Sequence, residues 1–160
     1  MAKRKKKTDR TPEIANRRAR FEYAITDTLE VGIVLEGSEV KSIREGRASI
    51  AEGYVRAEIE PRPSLTMHST TVQEYPPAAG HPHVPKRVRT LLAHKRQIRK
   101  LYQQAQQKGV TIIPLKMYFK DGMVKVQIGV GTGKAKYDKR QSIAKRESDR
   151  SLQRAMSKRM

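Results

Sequence analysis

The sequence predicts a mainly β fold with helices: a small antiparallel barrel, flanking helices, and a basic C-terminal tail that is disordered on its own. Three observations lead there. Short runs of alternating apolar residues recur between tight turns across residues 21–130. Only one long stretch, roughly 86–108, has helical apolar spacing. Residues 131–160 hold ten Lys or Arg against three acids, and their large apolar side chains are Ile143, Leu152, Met156 and Met160. So few cannot offset the entropy of ordering the segment, which therefore takes a fold on an anionic partner.

The elements follow in order. In 21–35, Phe21, Tyr23 and Ile25 alternate, then Val31, Ile33 and Leu35, which predicts strand with a bend near Gly32. SEVKSIRE reads as a short helix with Ser38 as N-cap, Glu39 in the first turn and Gly46 as the stop. Residues 48–59 alternate again, and a turn at EPRPS leads into the strand LTMHSTTV. Residues 75–86, with four prolines, form a loop. Then comes the helix of 86–108, with Val88, Leu91, Leu92, Ile98, Leu101, Tyr102 and Ala105 on one face and Gly109 at its end. VTIIPLKMYF and MVKVQIGVG flank KDG, a hairpin signal at Asp121-Gly122. Many short strands with tight turns suit a barrel of the oligonucleotide-binding type, residues 16–131. A disordered basic arm (1–15) precedes it and the tail (132–160) follows.

Charge points to the partner. The chain has 35 basic and 16 acidic residues, a net +19. Residues 1–20 hold nine basic and two acidic residues, so the two ends carry most of the excess. A nearly balanced body with two basic arms suits a polyanion binder, and solubility needs far less charge. The tail's basic residues are spread around a helix rather than gathered in one stripe, which suits surrounding phosphates better than a membrane.

Catalytic chemistry finds no foothold. Without cysteine there is no disulfide, thiolate metal site or thiol nucleophile, and the expected compartment is the cytoplasm. No apolar run is long enough to span a bilayer, and MAKRKKK lacks the apolar segment of a secretory signal. His81 and His83 form the one close histidine pair, in a proline-rich loop without a completing ligand. No zinc-protease or nucleophile-elbow motif is present, so no catalytic residue, metal or cofactor is expected. GVGTGK fails as a phosphate loop: Ile128 stands where the first glycine belongs, and Ala135 follows Lys134. The run reads instead as a flexible exit into the tail whose glycines let the backbone approach RNA. Phe21, Tyr23, Tyr54, Tyr118 and Phe119 fall in strands, mostly as core, whereas Tyr137 has no core around it.

Several runs taken together carry a resemblance: NRRARFEYAITDTLEVGIVLEGSEVKSIREGRASI at 16–50, KRVRTLLAHKRQIRKL at 86–101, GVTIIPLKMYFKDGMVKVQIGVGTGK at 109–134 and YDKR at 137–140. From about residue 10 to its end the chain resembles the bacterial small protein B family, the SsrA-binding proteins. The resemblance implies a monomeric, non-enzymatic adaptor with an oligonucleotide-binding barrel. Such an adaptor binds the tRNA-like domain of transfer-messenger RNA (tmRNA, SsrA RNA) and delivers it to stalled ribosomes for trans-translation. It implies RNA contacts at Asn16, Arg17, Arg18, Tyr23, Glu30, Lys41, Arg87, Arg89 and Leu92. It also implies a tail that enters the empty mRNA channel near the decoding centre, becomes helical there, and is read through Gly133, Lys134, Lys136, Tyr137, Asp138, Lys139 and Arg140. Two positions depart from the family pattern. Tyr137 stands where many members have His, and no aromatic lies near Ser148, where many have one.

Overall fold

Alternate burial along the chain builds this fold strand by strand. The computed structural model describes residues 11–78 and 80–157. A short strand, β1 (Ile14–Ala15), precedes one helical turn, α1 (Ala19–Glu22), and the long strand β2 (Tyr23–Ile33). Three expectations change here. The arm ends earlier than residue 15, because β1 already pairs with the body, and residues 1–10 of the arm lie outside the described residues. Phe21 belongs to α1, and the irregularity in β2 falls between Ile25 and Asp27 rather than at Gly32.

Helix α2 (Gly37–Arg44) is capped by Glu36, not Ser38: the Glu36 N–H donates to the Glu39 carboxylate at 2.9 Å. Gly46 stops it, at φ +75, in the left-handed region where glycine meets no Cβ penalty. The alternating run after it divides into β3 (Ala48–Ser49) and β4 (Tyr54–Glu58). β5 (Ser64–His68) and β6 (Thr71–Val72) follow, then a single 3-10 turn at Pro76–Ala78.

The expected helix of 86–108 is the largest correction. Its first part is a strand, β7 (Arg89–Leu92), and only Lys95–Ala105 is helix, α3. Arg89 and Leu91 point inward while Thr90 and Leu92 are exposed, a period of two hidden inside an apolar run that also fits 3.6. The open edges of β2 and β5 decide the matter, since β7 pairs with both. At His94 the backbone N–H donates to the Gln97 side chain at 2.9 Å and the helix starts there.

The chain closes with β8 (Val110–Lys120), β9 (Met123–Gly133) and α4 (Lys136–Ser157). Asp121 and Gly122 join β8 to β9 with φ of +52 and +77, as a two-residue hairpin of the expected kind requires. The strand order is β1-β8-β4-β5-β7-β2-β9, and β9 pairs back onto β8, so six antiparallel strands form a ring with β1 attached outside. β3 and β6 form a separate ribbon. Inside sit Val31, Ile43, Leu65, Met67, Ile112, Met117, Val126 and Ile128, each 0–2% exposed. Burial of such side chains contributes about 1.5–3 kcal/mol apiece before chain entropy is counted. α3 packs Ile98 and Leu101 against this core.

Gly131 is not a flexible exit. It is buried in β9, opposite Ile25, and a Cβ there would stand 2.8 Å from the Ala24 carbonyl oxygen. Gly133 still pairs with Tyr23, so β9 runs past residue 131. The segment for which the sequence expects a fold only on a partner is the helix α4, and not one of its described residues is buried.

Candidate RNA interface

The implied RNA contacts separate into exposed groups and scaffold. Asn16 is scaffold. It is 7% exposed, donates from Nδ2 to the carbonyls of Ile50 (3.3 Å) and Pro114 (3.1 Å), and accepts the Ala19 N–H at 3.1 Å. These bonds fix the entry to α1, where Arg17 and Arg18 just before the helix and Arg20 within it stand in solvent. Arg18 is drawn toward Glu22 at 3.3 Å across a solvated i,i+4 spacing. Tyr23 opens β2, half-buried against Ala19, Ile113 and Leu115. Lys41, exposed on α2, sits 5.6 Å from the Tyr75 ring centroid.

Arg87 and Arg89 converge on one buried carboxylate. Glu39 and Arg89 are both 0% exposed. Arg89 donates to Glu39 at 2.9 Å and to carbonyls of Thr70 (3.1 Å), Arg87 (3.0 Å) and Pro85 (2.9 Å). Arg87, half-buried, reaches Glu39 at 2.6 Å and 3.0 Å and stands 3.7 Å from Glu36. Burial opposes ionisation of Glu39. The Arg87 hydrogen bond, the Glu36 N–H and the Arg89 charge together hold its carboxyl below the usual range. The same hydrogen bond raises the Arg87 guanidinium above its ordinary value. Arg89 therefore has no surface with which to touch RNA. Its chain position near exposed Leu92 hides this from sequence reading, because a basic residue three places from an exposed one looks the same whether it faces in or out.

Leu92 is 56% exposed, in a shallow patch with Gly32, Val40 and Met123. Glu30 is exposed on β2, where it accepts from the Tyr118 hydroxyl and from Lys120 Nζ at 3.1 Å. Those two donors lower its carboxyl pKa. Burial and Glu30 push the Tyr118 hydroxyl up to about 12, so Tyr118 stays a donor at neutral pH.

At the start of the tail, Lys134 Nζ donates to the Arg20 carbonyl at 2.9 Å. Lys136, Tyr137, Asp138, Lys139 and Arg140 then form the first turns of α4, with Tyr137 68% exposed. Asp138 lies at the positive end of the helix dipole.

Sequence reading overlooks one aromatic pair. Tyr54 and His68 stack with centroids 5.0 Å apart and planes 8° apart, and Tyr54 is 45% exposed on the barrel's outer face rather than in its core. The signal was available, since Val55 points inward and its neighbour must point out. His83 is buried, with Nδ1 2.8 Å from the Ser38 hydroxyl and Nε2 3.1 Å from the Val72 carbonyl, so both ring nitrogens face protein partners rather than His81.

The whole arrangement, barrel and tail, matches one family. The family model described as SmpB protein matches residues 13–158. The chain belongs to the SmpB family. It is 48% identical over 145 residues to the SsrA-binding protein of Bifidobacterium adolescentis, covering 91% of this chain and 90% of that one. It is 46% identical over 144 residues to the SsrA-binding protein of Alkaliphilus metalliredigens, covering 90% of each. A solved chain described under "tmRNA-SmpB: a journey to the center of the bacterial ribosome" superposes with a TM-score of 0.60 at 34% identity, over 82% of this chain and 94% of that one. The SmpB match spans both barrel and tail, so the family includes the exposed helix as well as the ring of strands. No helix among the described residues is long and apolar enough to cross a membrane.

Proposed function

We infer that this chain is an RNA-binding adaptor of trans-translation. It binds the tRNA-like domain of tmRNA through the barrel and delivers it to stalled ribosomes, with its basic tail in the empty mRNA channel near the decoding centre. The observation that carries this is the identity of 46–48% to SsrA-binding proteins over nine-tenths of the chain. The geometry agrees: a rigid ring of strands holds Arg17, Arg18 and Lys41 in solvent, and the tail offers cations on an unburied helix. Arg18 and Arg17 can grip phosphates through two parallel N–H bonds each, and Tyr23 and Tyr137 offer rings to unstacked bases. Its place of work is the cytoplasm, where ribosomes stall, and it acts by positioning RNA rather than by turnover.

Binding of the tRNA-like RNA measured against salt tests the barrel. With about six phosphates neutralised, log K should fall against log salt with a slope of roughly −4 to −5, and residues 10–133 alone should retain binding. Salt-independent affinity, or loss of binding with the tail, would overturn the assignment. Replacing Asp138, Lys139 and Arg140 together by alanine tests the tail. RNA binding and ribosome association should survive, while peptide tagging of nascent chains on stalled ribosomes is abolished. Tagging at the parent rate would remove this cluster from decoding.

A further inference from the structure

α4 turns Arg146 and Arg150 toward the body and leaves Tyr137, Leu152 and Met156 facing away. At 100° per residue, Tyr137, Leu152 and Met156 fall within about one third of the helix circumference, and all three are exposed. The opposite side presents Arg146 and Arg150 to Arg17 and Arg20 across a cleft of about 670 Å³ floored by Ala15 and Leu115. The helix is tethered near its start: Lys134 Nζ lies 3.5 Å from the Ser142 hydroxyl, and the Arg146 guanidinium stands 5.6 Å over the Phe21 ring.

The charges across this cleft are unbalanced. Among the described residues, none of Arg17, Arg20, Arg146 and Arg150 forms an ion pair. Of the two acids on its walls, Glu13 is already paired with Lys116 at 3.5 Å, which leaves Asp149. Four guanidinium groups on two facing walls repel one another unless an anion lies between them. A guanidinium presents a planar fork of N–H donors that fits two phosphate oxygens at once. The cations face each other across a gap, so the ligand must be a strand that enters it, which a flat bilayer surface cannot do.

We propose that the cleft between α4 and the α1–β1 edge is a two-sided site for an RNA phosphodiester backbone, held by Arg17 and Arg20 from the body and Arg146 and Arg150 from the tail. The proposal rests on the RNA-binding reading and adds to it a coupling. RNA on the body draws α4 down onto the same strand, so the tail is docked in cis before it is released to another partner.

The chain has no cysteine, so single labels can be placed at will on the full-length protein. Labels at Thr28→Cys and Met156→Cys report the distance from barrel to tail. Adding the tRNA-like RNA of tmRNA should narrow that distance distribution in the parent and leave it broad in the Arg146→Gln/Arg150→Gln variant. In a double-mutant cycle, the body pair (Arg17→Gln/Arg20→Gln) and the tail pair should each weaken binding and each reduce the salt slope by about 2. The quadruple variant should lose less than the product of the two effects, because each pair alone already dismantles the shared site. If the tail pair changes neither distance nor slope while RNA still binds, or if the two effects multiply, the cleft is not the site and the RNA-binding reading stands. If the parent binds no RNA, that reading fails and takes the proposal with it. Narrowing by anionic phosphatidylglycerol vesicles without RNA would overturn the assignment to a nucleic-acid strand.

Discussion

Arg17 and Arg18 on one side of the barrel, and Arg87 and Arg89 on another, are indistinguishable as sequence: paired arginines in basic runs beside apolar strands. In the folded chain they stand in opposite surroundings. Arg17 and Arg18 stand in water just after Asn16, which spends its own amide on the backbone. Arg87 and Arg89 spend their guanidinium groups on Glu39 and on loop carbonyls, tying α2 to the strand that opens the second half of the chain. Both pairs have a carboxylate in reach, and burial separates them: Glu39 and Arg89 are 0% exposed, whereas Arg18 and Glu22 meet in solvent.

The largest effect should come from breaking the inner pair. Arg89→Ala leaves buried Glu39 with only half-buried Arg87 as its cation, a loss of about 3–5 kcal/mol, and the melting temperature should drop by roughly 10 °C or more. Circular dichroism against temperature checks this, and a drop of only a degree or two would show that the network is dispensable. The same carboxylate has a pH signature. Its folded pKa lies below 4.5, so its stabilisation is fully present above that value and fades as pH falls through the folded pKa. Glu39→Gln should therefore destabilise the chain at neutral pH and narrow the gap to the parent at low pH. A gap constant from pH 7 to pH 3 would contradict an ionised Glu39.

The outer pair should behave in reverse. Arg17→Gln/Arg18→Gln should leave the melting temperature within about 2 °C, because exposed ion pairs such as Arg18–Glu22 contribute little. It should weaken binding of the tRNA-like RNA severalfold and reduce the salt slope by about 2. A melting temperature lowered as far as in Arg89→Ala would erase the distinction between the two pairs.

This contrast marks how far sequence reading reaches. The hairpin at Asp121-Gly122, the α2 stop at Gly46 and the apolar face of α3 are local signals, and each is where its residues place it. The ring of strands follows from many short alternating runs. What stays hidden is set by distant pairing. β7 is a strand because β2 and β5 need a partner, although Val88 to Leu92 also suits a helix. Gly131 is packed because Ala24 approaches from β2, more than a hundred residues earlier in the chain. Likewise the roles of Arg89 and Asn16 depend on Glu39, Ile50 and Pro114, none of them neighbours in sequence. Arg17 and Arg20 of the body are seen to face Arg146 and Arg150 of α4 only when the tail is placed beside the body.

Glu30 gives the finest test, because it belongs to neither pair. It is an acid on a face where phosphate is expected, and it is held by the Tyr118 hydroxyl and Lys120 rather than by a buried lysine. Each carboxylate oxygen takes one of these donors and keeps a further lone pair, which can accept from a base edge or a ribose hydroxyl. Because the site is solvated, removing it disturbs little of the fold. Glu30→Ala should keep the melting temperature within a few degrees and lower RNA affinity severalfold. Tyr118→Phe removes one donor and leaves the acid in place, so its loss of affinity should be smaller. A steep fall in melting temperature for Glu30→Ala would assign the residue to the scaffold with Glu39. Equal losses from the two variants would mean that Tyr118, not Glu30, meets the RNA.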